Sequence, residues 1–435
     1  MELIQKLAIL ADAAKYDASC ASSGTQKRDS RKGLGIGSSG GMGICHSYTP
    51  DGRCISLLKV LLTNFCIYEC SYCVNRASSN VPRARFSIDE VVTLTLDFYK
   101  RNYIEGLFLS SGIIQSADYT MEQLVGVARS LRNDYDFRGY IHLKTIPECA
   151  PELLQEAGRY ADRLSINAEL PSRQALTLLA PEKNPATIKA AMGYTYQWEQ
   201  ESKARKQEVG KVQNRLAKSR LERSLKREHR FAPAGQSTQM IIGADSSNDA
   251  KILTVSNKLY QNYAMRRVYY SAFSPIPSRS TNLPLAPPPL MREHRLYQAD
   301  WLLRFYDFAL DEIISPAPNT SQQSSDAGML DLEIDPKLSW AIRNVHLFPM
   351  DINRAPKEML IRIPGIGVRT AQKIIAQRSV RAMRLEDLAK LRVALDKIKP
   401  FIVARGYKPA AKLLEAEHLK AHFIRADNRQ LSLFG

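Results

Sequence analysis

The stretch Cys66-Ile67-Tyr68-Glu69-Cys70-Ser71-Tyr72-Cys73 sets three thiols within eight residues, at the spacing C-x₃-C-x₂-C. It follows an apolar, β-like run, Ile55-Ser56-Leu57-Leu58-Lys59-Val60-Leu61-Leu62. A strand there delivers the cysteines onto a loop at its C-terminal end, where α/β barrels carry their chemistry. Thiolates bind soft metals and iron–sulfur clusters. Three ligands from one tight loop hold three irons of a [4Fe–4S] cluster and leave the fourth open. A structural zinc site would take a fourth protein ligand, typically from a second pair, and no second C-x₂-C exists.

The C-x₃-C-x₂-C loop, with aromatic Tyr72 before its last cysteine, resembles the signature of the radical S-adenosylmethionine (SAM) enzymes. The resemblance implies that Cys66, Cys70 and Cys73 hold the [4Fe–4S] cluster. It also implies that the open iron is chelated by the amino and carboxylate groups of SAM, whose reductive cleavage gives a 5′-deoxyadenosyl radical. An electron donor such as a flavodoxin or ferredoxin is then needed.

The surrounding pattern agrees independently. From residue 55 to about 275, short apolar strands alternate with helices. Strands are expected at Leu57–Leu62, Gly106–Ser110, Tyr140–Lys144, 163–167, 238–243 and 267–273. Ser87 and Glu90 form a capping box for a helix through Arg101, and Thr120 is read as the cap of the next. Six βα units predict a parallel, right-handed sheet. The fold class expected is α/β: a partial (β/α)₆ TIM-like barrel followed by an all-α domain. The expected division is 1–54, an N-terminal helix and Gly/Ser-rich segment; 55–314, the barrel, with a basic helical insertion at about 200–230; 315–335, a linker; and 336–435.

Within the resemblance, the family's contacts to SAM map onto Tyr72, Ser110, Ser111, Gly112, Lys144, Ser165, Asn167 and Glu169. Ser110-Ser111-Gly112 stands where the family often carries Gly-Gly-Glu, so serine hydroxyls or backbone carbonyls take the place of the glutamate. Alternation along a strand puts Ser165, Asn167 and Glu169 on one face. Cys45, His46 and Cys54 are open between a second metal and small buried side chains. Gly35-Ile36-Gly37-Ser38-Ser39-Gly40 matches G-x-G-x-x-G without a preceding strand, which argues against a dinucleotide fingerprint.

A second motif is Ile363-Pro364-Gly365-Ile366-Gly367-Val368-Arg369-Thr370-Ala371, between two short helical patterns. It resembles the helix-hairpin-helix motif. Its glycines permit a tight turn with free amides, and those amides, with a helix N-terminus, cradle a phosphate. Gly365, Gly367, Arg369, Thr370 and Lys373 are the candidate nucleic-acid contacts. A formal charge of +17 and a pI near 9.5 favour polyanion partners. The insertion contributes eleven cations from Lys203 to Arg230.

Seven cysteines with no export signal suggest a reducing cytoplasm, and no apolar run is long enough to span a membrane. Nearly the whole chain resembles radical SAM proteins with a C-terminal helix-hairpin-helix, described as DNA modification or repair proteins. That resemblance implies DNA as substrate and a uracil-DNA-glycosylase-like protein as partner. RNA modification, for example of tRNA, and a non-catalytic iron–sulfur sensor stay open as alternatives.

Overall fold

The computed structural model describes residues 1–16, 43–48, 54–216, 230–276, 282–314, 327–410 and 419–424. The glycine-rich run at 33–41 therefore lies outside the described residues, as do 217–229 of the basic insertion.

The chain divides into two compact units: residues 1–247 with 258–288, and residues 248–257 with 289–435. In the first, seven strands lie side by side in chain order: β1 (Ile44–Tyr48), β2 (Cys54–Leu61), β3 (Gly106–Ser110), β4 (Tyr140–Lys144), β5 (Arg163–Ser165), β6 (Gln236–Ile242) and β7 (Arg267–Ala272). From β2 to β7 every pairing is parallel. Each crossover steps to the next neighbour in the same direction. That is the winding of a barrel, and not of a doubly wound sheet, whose order reverses at a switch point. Among the described residues β7 pairs only with β6, so the barrel is partial.

In this unit the strand missed by the sequence reading is β1. It runs antiparallel to β2 and covers that strand's edge. It also gives Cys45 a structural setting, buried with Ile55, Leu57 and Phe108.

The helices include α1 (Leu3–Ala13), α2 (Ile88–Lys100), α3 (Ala117–Asn133), α4 (Pro151–Tyr160), α5 (Arg173–Leu179), α6 (Pro185–Leu216) and α7 (Asp249–Tyr263). The Ser87/Glu90 capping box forms as expected. The next helix starts earlier than read, because Ser116 and not Thr120 caps α3. The Thr120 hydroxyl is buried and donates to the Ile114 and Ser116 carbonyls.

The direction of α6 places the described start of the basic insertion. Lys183 lies at the barrel mouth, just before α6, whose 32 residues then span about 48 Å. The helix runs back toward the start of β6. There the Gln236 amide donates to the Met192 carbonyl, and the Phe231 N–H to Ser202 Oγ. The exposed Lys203, Arg205 and Lys206 thus lie near the N-terminal end of the sheet, away from the mouth where they would meet a phosphate backbone beside the site.

The second unit contains α8 (Leu290–Phe305), α9 (Leu310–Ile313), α10 (Pro336–Arg343), β8 (Met350–Asp351), α11 (Lys357–Leu360), α12 (Val368–Arg378), α13 (Leu385–Lys390), α14 (Leu395–Ile398) and β9 (Ile402–Val403). It is not purely helical, because β8 and β9 pair in parallel. The helix α8, read as part of the barrel, belongs to this unit.

Candidate iron–sulfur and phosphate-binding sites

The loop after β2 is tied down from three sides. Thr63 Oγ1 donates to the Ala84 carbonyl at 2.9 Å and Asn64 Nδ2 to the Pro82 carbonyl at 2.8 Å. The Arg83 guanidinium donates to the carbonyls of Asn75 (2.8 Å), Arg76 (2.6 Å) and Ser79 (2.9 Å), and also to that of Asn64. On a second side the segment after β3 lies against the cysteines. Gly112 N–H donates to the Thr63 carbonyl and Ile67 N–H to that of Ile113. A Cβ on Gly112 would stand 2.2 Å from the Phe65 carbonyl oxygen, so this close approach requires glycine. On the third side, Ser71 N–H donates to the Leu179 carbonyl and Glu69 N–H to Glu182 Oε1.

Cys66, Cys70 and Cys73 all line one cavity of about 200 Å³ in the barrel mouth. Backbone N–H groups already point at two of the sulfurs. Cys66 Sγ accepts from Tyr68 (3.5 Å) and Ile113 (3.4 Å), and Cys73 Sγ from Asn75 (3.4 Å). Burial, with smaller contributions from neighbouring charges, pushes the Cys70 thiol up to about 12 and the Cys73 thiol up to about 11. These two bare thiols are thus neutral, and a bound metal would displace their protons. Among the described residues no three His, Cys, Asp or Glu side chains converge on a single-ion site. Three cysteine thiols on the wall of one cavity are a soft donor set that suits an iron–sulfur cluster, in which each sulfur holds its own iron. The one H-x₃-H pair in the sequence, His418 and His422, falls in the second unit, and His418 lies outside the described residues.

Of the residues expected around SAM, Tyr72, Ser110, Ser111, Gly112, Lys144, Asn167 and Glu169 line this cavity. Ser165 does not. It lies deeper in the barrel, hydrogen-bonded to Ser237 Oγ at 2.9 Å and to His142 Nε2. Strand alternation fails at Glu169, whose positive φ of 64° takes it out of regular β geometry. Its backbone joins β6 through Gln239 and Ile241 instead.

The Glu169 carboxylate pairs with Lys183 Nζ and accepts from Asn167 Nδ2 at 3.2 Å. Burial works to raise its pKa, but Lys183 and Lys144 outweigh this and hold it below the usual range. Among the described residues, two buried polar atoms in the cavity wall lack a well-formed hydrogen bond: Asn167 Oδ1, and Tyr72 Oη, which faces the Glu169 carboxylate. Such atoms await a ligand or ordered water.

Lys183, Gln239 and Arg83 were missed in the sequence. Lys183 sits in Pro181-Glu182-Lys183-Asn184-Pro185, where no periodicity marks it. Gln239 Oε1 accepts from Lys144 Nζ at 3.3 Å.

In the second unit, Gly365 and Gly367 lie in the turn between α11 and α12, and Arg369, Thr370 and Lys373 follow in the first two turns of α12. Gly365 has φ +83°, a left-handed conformation suited to glycine. Gly367 caps α12 without a side-chain cap, leaving its first N–H groups open. Arg369 and Lys373 are exposed on the same helix. Beneath the turn, Lys337 Nζ donates to the Ile366 carbonyl and lies 5.0 Å from the Tyr306 ring centre.

No protein-family model and no curated protein matches the sequence. Among solved structures, the chain is similar to the FeFe-hydrogenase maturase HydG from Carboxydothermus hydrogenoformans, at 14% identity and TM-score 0.38, over 54% of this chain and 48% of that one. It is also similar to methylornithine synthase (PylB), at 12% and 0.36, over 50% and 53%. A third is OxsB, a cobalamin-dependent S-adenosylmethionine radical enzyme, at 10% and 0.30, over 74% and 45%. The chain spans about half the length of each, and the superpositions are too loose to assign a family.

Two outcomes follow from these geometries. Arg83→Met releases the carbonyls that shape the cysteine loop. In the reduced, metal-free chain it raises the iodoacetamide alkylation rate of buried Cys70 by about tenfold or more, as expected when local opening costs about 1.4 kcal/mol less. An unchanged rate would show that the loop holds its shape without Arg83.

The second concerns Lys337, whose pKa burial lowers to about 7. Between there and the ordinary lysine value the unfolded chain binds more protons, so this group makes stability rise with pH through that window. Lys337→Met lacks the rise. Urea unfolding, read by Trp340 with Trp198 and Trp301 replaced by phenylalanine, therefore shows the variant ahead by on the order of a few kcal/mol at pH 6.5, with the gap narrowing by pH 9. A constant gap would contradict the buried-lysine assignment.

Proposed function

We propose that this chain is a radical SAM enzyme that acts on DNA. The observation that carries the first part is the three-thiol loop, held at the mouth of a partial parallel barrel over a polar cavity. Cys66, Cys70 and Cys73 would hold the cluster. When bound, a [4Fe–4S] cluster with an open iron supplies a binding point for SAM and the electron for its reductive cleavage.

The protein's own residues do the rest. The N–H groups of Tyr68, Asn75 and Ile113 soften the charge on the sulfurs. Lys183 balances thiolate charge while Glu169 keeps it in place. Asn167 Oδ1 and Tyr72 Oη offer polar contacts to SAM. The Ser110-Ser111-Gly112 segment presents backbone in place of a carboxylate.

DNA enters through the turn at Gly365–Gly367, read as a helix-hairpin-helix. Its open amides with Arg369, Thr370 and Lys373 suit one backbone phosphate. A target base or sugar must leave the stack to reach a barrel cavity, at a cost of a few kcal/mol. A uracil-DNA-glycosylase-like partner and a flavodoxin- or ferredoxin-type donor belong to the same proposal.

The test is anaerobic reconstitution, reduction and addition of SAM, with 5′-deoxyadenosine measured with and without duplex DNA. The proposal expects product that requires all three cysteines and rises with DNA. Stimulation by structured RNA alone would move the substrate to RNA. An iron-loaded protein that never cleaves SAM would leave a sensor.

A further inference from the structure

The helix α8 carries two large aromatic side chains on its surface. Trp301 is 50% exposed and Phe305 is 45% exposed. Four residues apart, they share one face of the helix, with ring centres 4.5 Å apart at 49°. The Arg304 guanidinium lies 4.7 Å from the Phe305 ring centre and also bonds Asp300 at 3.3 Å. The other two tryptophans are less exposed: Trp340 is buried, and half-buried Trp198 packs between Tyr194 and Phe231.

The pair's position gives it meaning. The next residue, Tyr306, reaches the hairpin: a Cβ on Gly367 would meet its hydroxyl at 3.1 Å. The exposed aromatic face therefore lies on the order of 10–15 Å from the hairpin backbone, about three to four base steps at ~3.4 Å each. Arg369 and Lys373, exposed on α12 after the hairpin, and Arg304, which also pairs with Asp300, give this unit positive charge that matches a polyanion rather than an apolar partner.

We propose that Trp301 and Phe305 form a stacking platform for an unpaired base of DNA whose backbone is held at the Gly365–Gly367 turn. The inference rests on the hairpin reading above and adds a substrate preference to it: DNA with an unpaired or displaced base over intact duplex. Every base has a π-face, so such a platform selects unstacked bases without reading sequence. Arg304 contributes its plane and charge at the edge.

The experiment compares the full chain with Trp301→Leu/Phe305→Leu and with Arg369→Glu/Lys373→Glu. The probes are a perfect duplex and the same duplex carrying a central two-nucleotide bulge. The parent should prefer the bulged probe. The aromatic variant should lose roughly five- to hundred-fold on the bulge and little on the perfect duplex. The bulged probe should quench parent tryptophan emission and spare Trp301→Leu/Phe305→Leu, a change that a merely structural role would not produce.

Equal loss on both probes, or none, would overturn the platform. So would loss of self-association in the aromatic variant with DNA affinity unchanged, which would make the face a protein contact. A hairpin variant that binds DNA as the parent does would overturn the hairpin reading itself. If the aromatic variant still discriminates between the probes, only the platform fails.

Discussion

The Arg83 guanidinium, spread across backbone carbonyls of residues 64 to 79, is the constraint on which the site depends. A loop that presents three sulfurs toward one cavity cannot form a regular ladder, and its carbonyls need other donors. Arg83 supplies several at once from a planar fork, which a lysine would not reproduce. Asn64, only 2% exposed, adds a second clasp by pairing with Ala84 N–H and the Pro82 carbonyl. The result is a cysteine loop shaped before any metal arrives.

Charge explains the next layer. Thiols packed on one cavity wall, with Cys70 buried, cost little while neutral and become costly as thiolates unless a cation is near. Lys183 stands where that compensation is needed. Its ion pair with Glu169 fixes it in a wall that also contains Lys144 and Gln239. Glu169 in turn holds an unusual backbone conformation because Gln239 and Ile241 bond its peptide groups. The cavity floor is different in kind. His142, Ser165 and Ser237 bond one another there, and burial keeps the histidine neutral.

Much of this was legible. The cysteine spacing, the strands at 106–110 and 140–144, and the Ser87/Glu90 box are local signals, and the structure has all of them. Seven of the eight expected cavity residues line the cavity because each ends or follows a parallel strand. What failed was long-range. The strand β1 was hidden because its polar and sulfur-bearing residues carry no clean alternation. Ser165 was placed one layer too high, because its alternation set the face correctly but not the depth. Lys183 and Arg83 sit in loops whose partners are backbone groups or residues distant in sequence, which no periodicity encodes. The basic insertion was composition without direction, and only the course of α6 shows which end of the barrel Lys203, Arg205 and Lys206 approach.

The central claim is that Cys66, Cys70 and Cys73 hold a cluster with one iron open to SAM. Iron and sulfide analysis after anaerobic reconstitution, with paramagnetic resonance of the reduced protein before and after SAM, tests it most directly. The account predicts about four irons per chain, lost in each single cysteine-to-alanine variant, and a spectrum that SAM changes. One zinc per chain on the same cysteines, or a cluster spectrum that SAM leaves untouched, would contradict it.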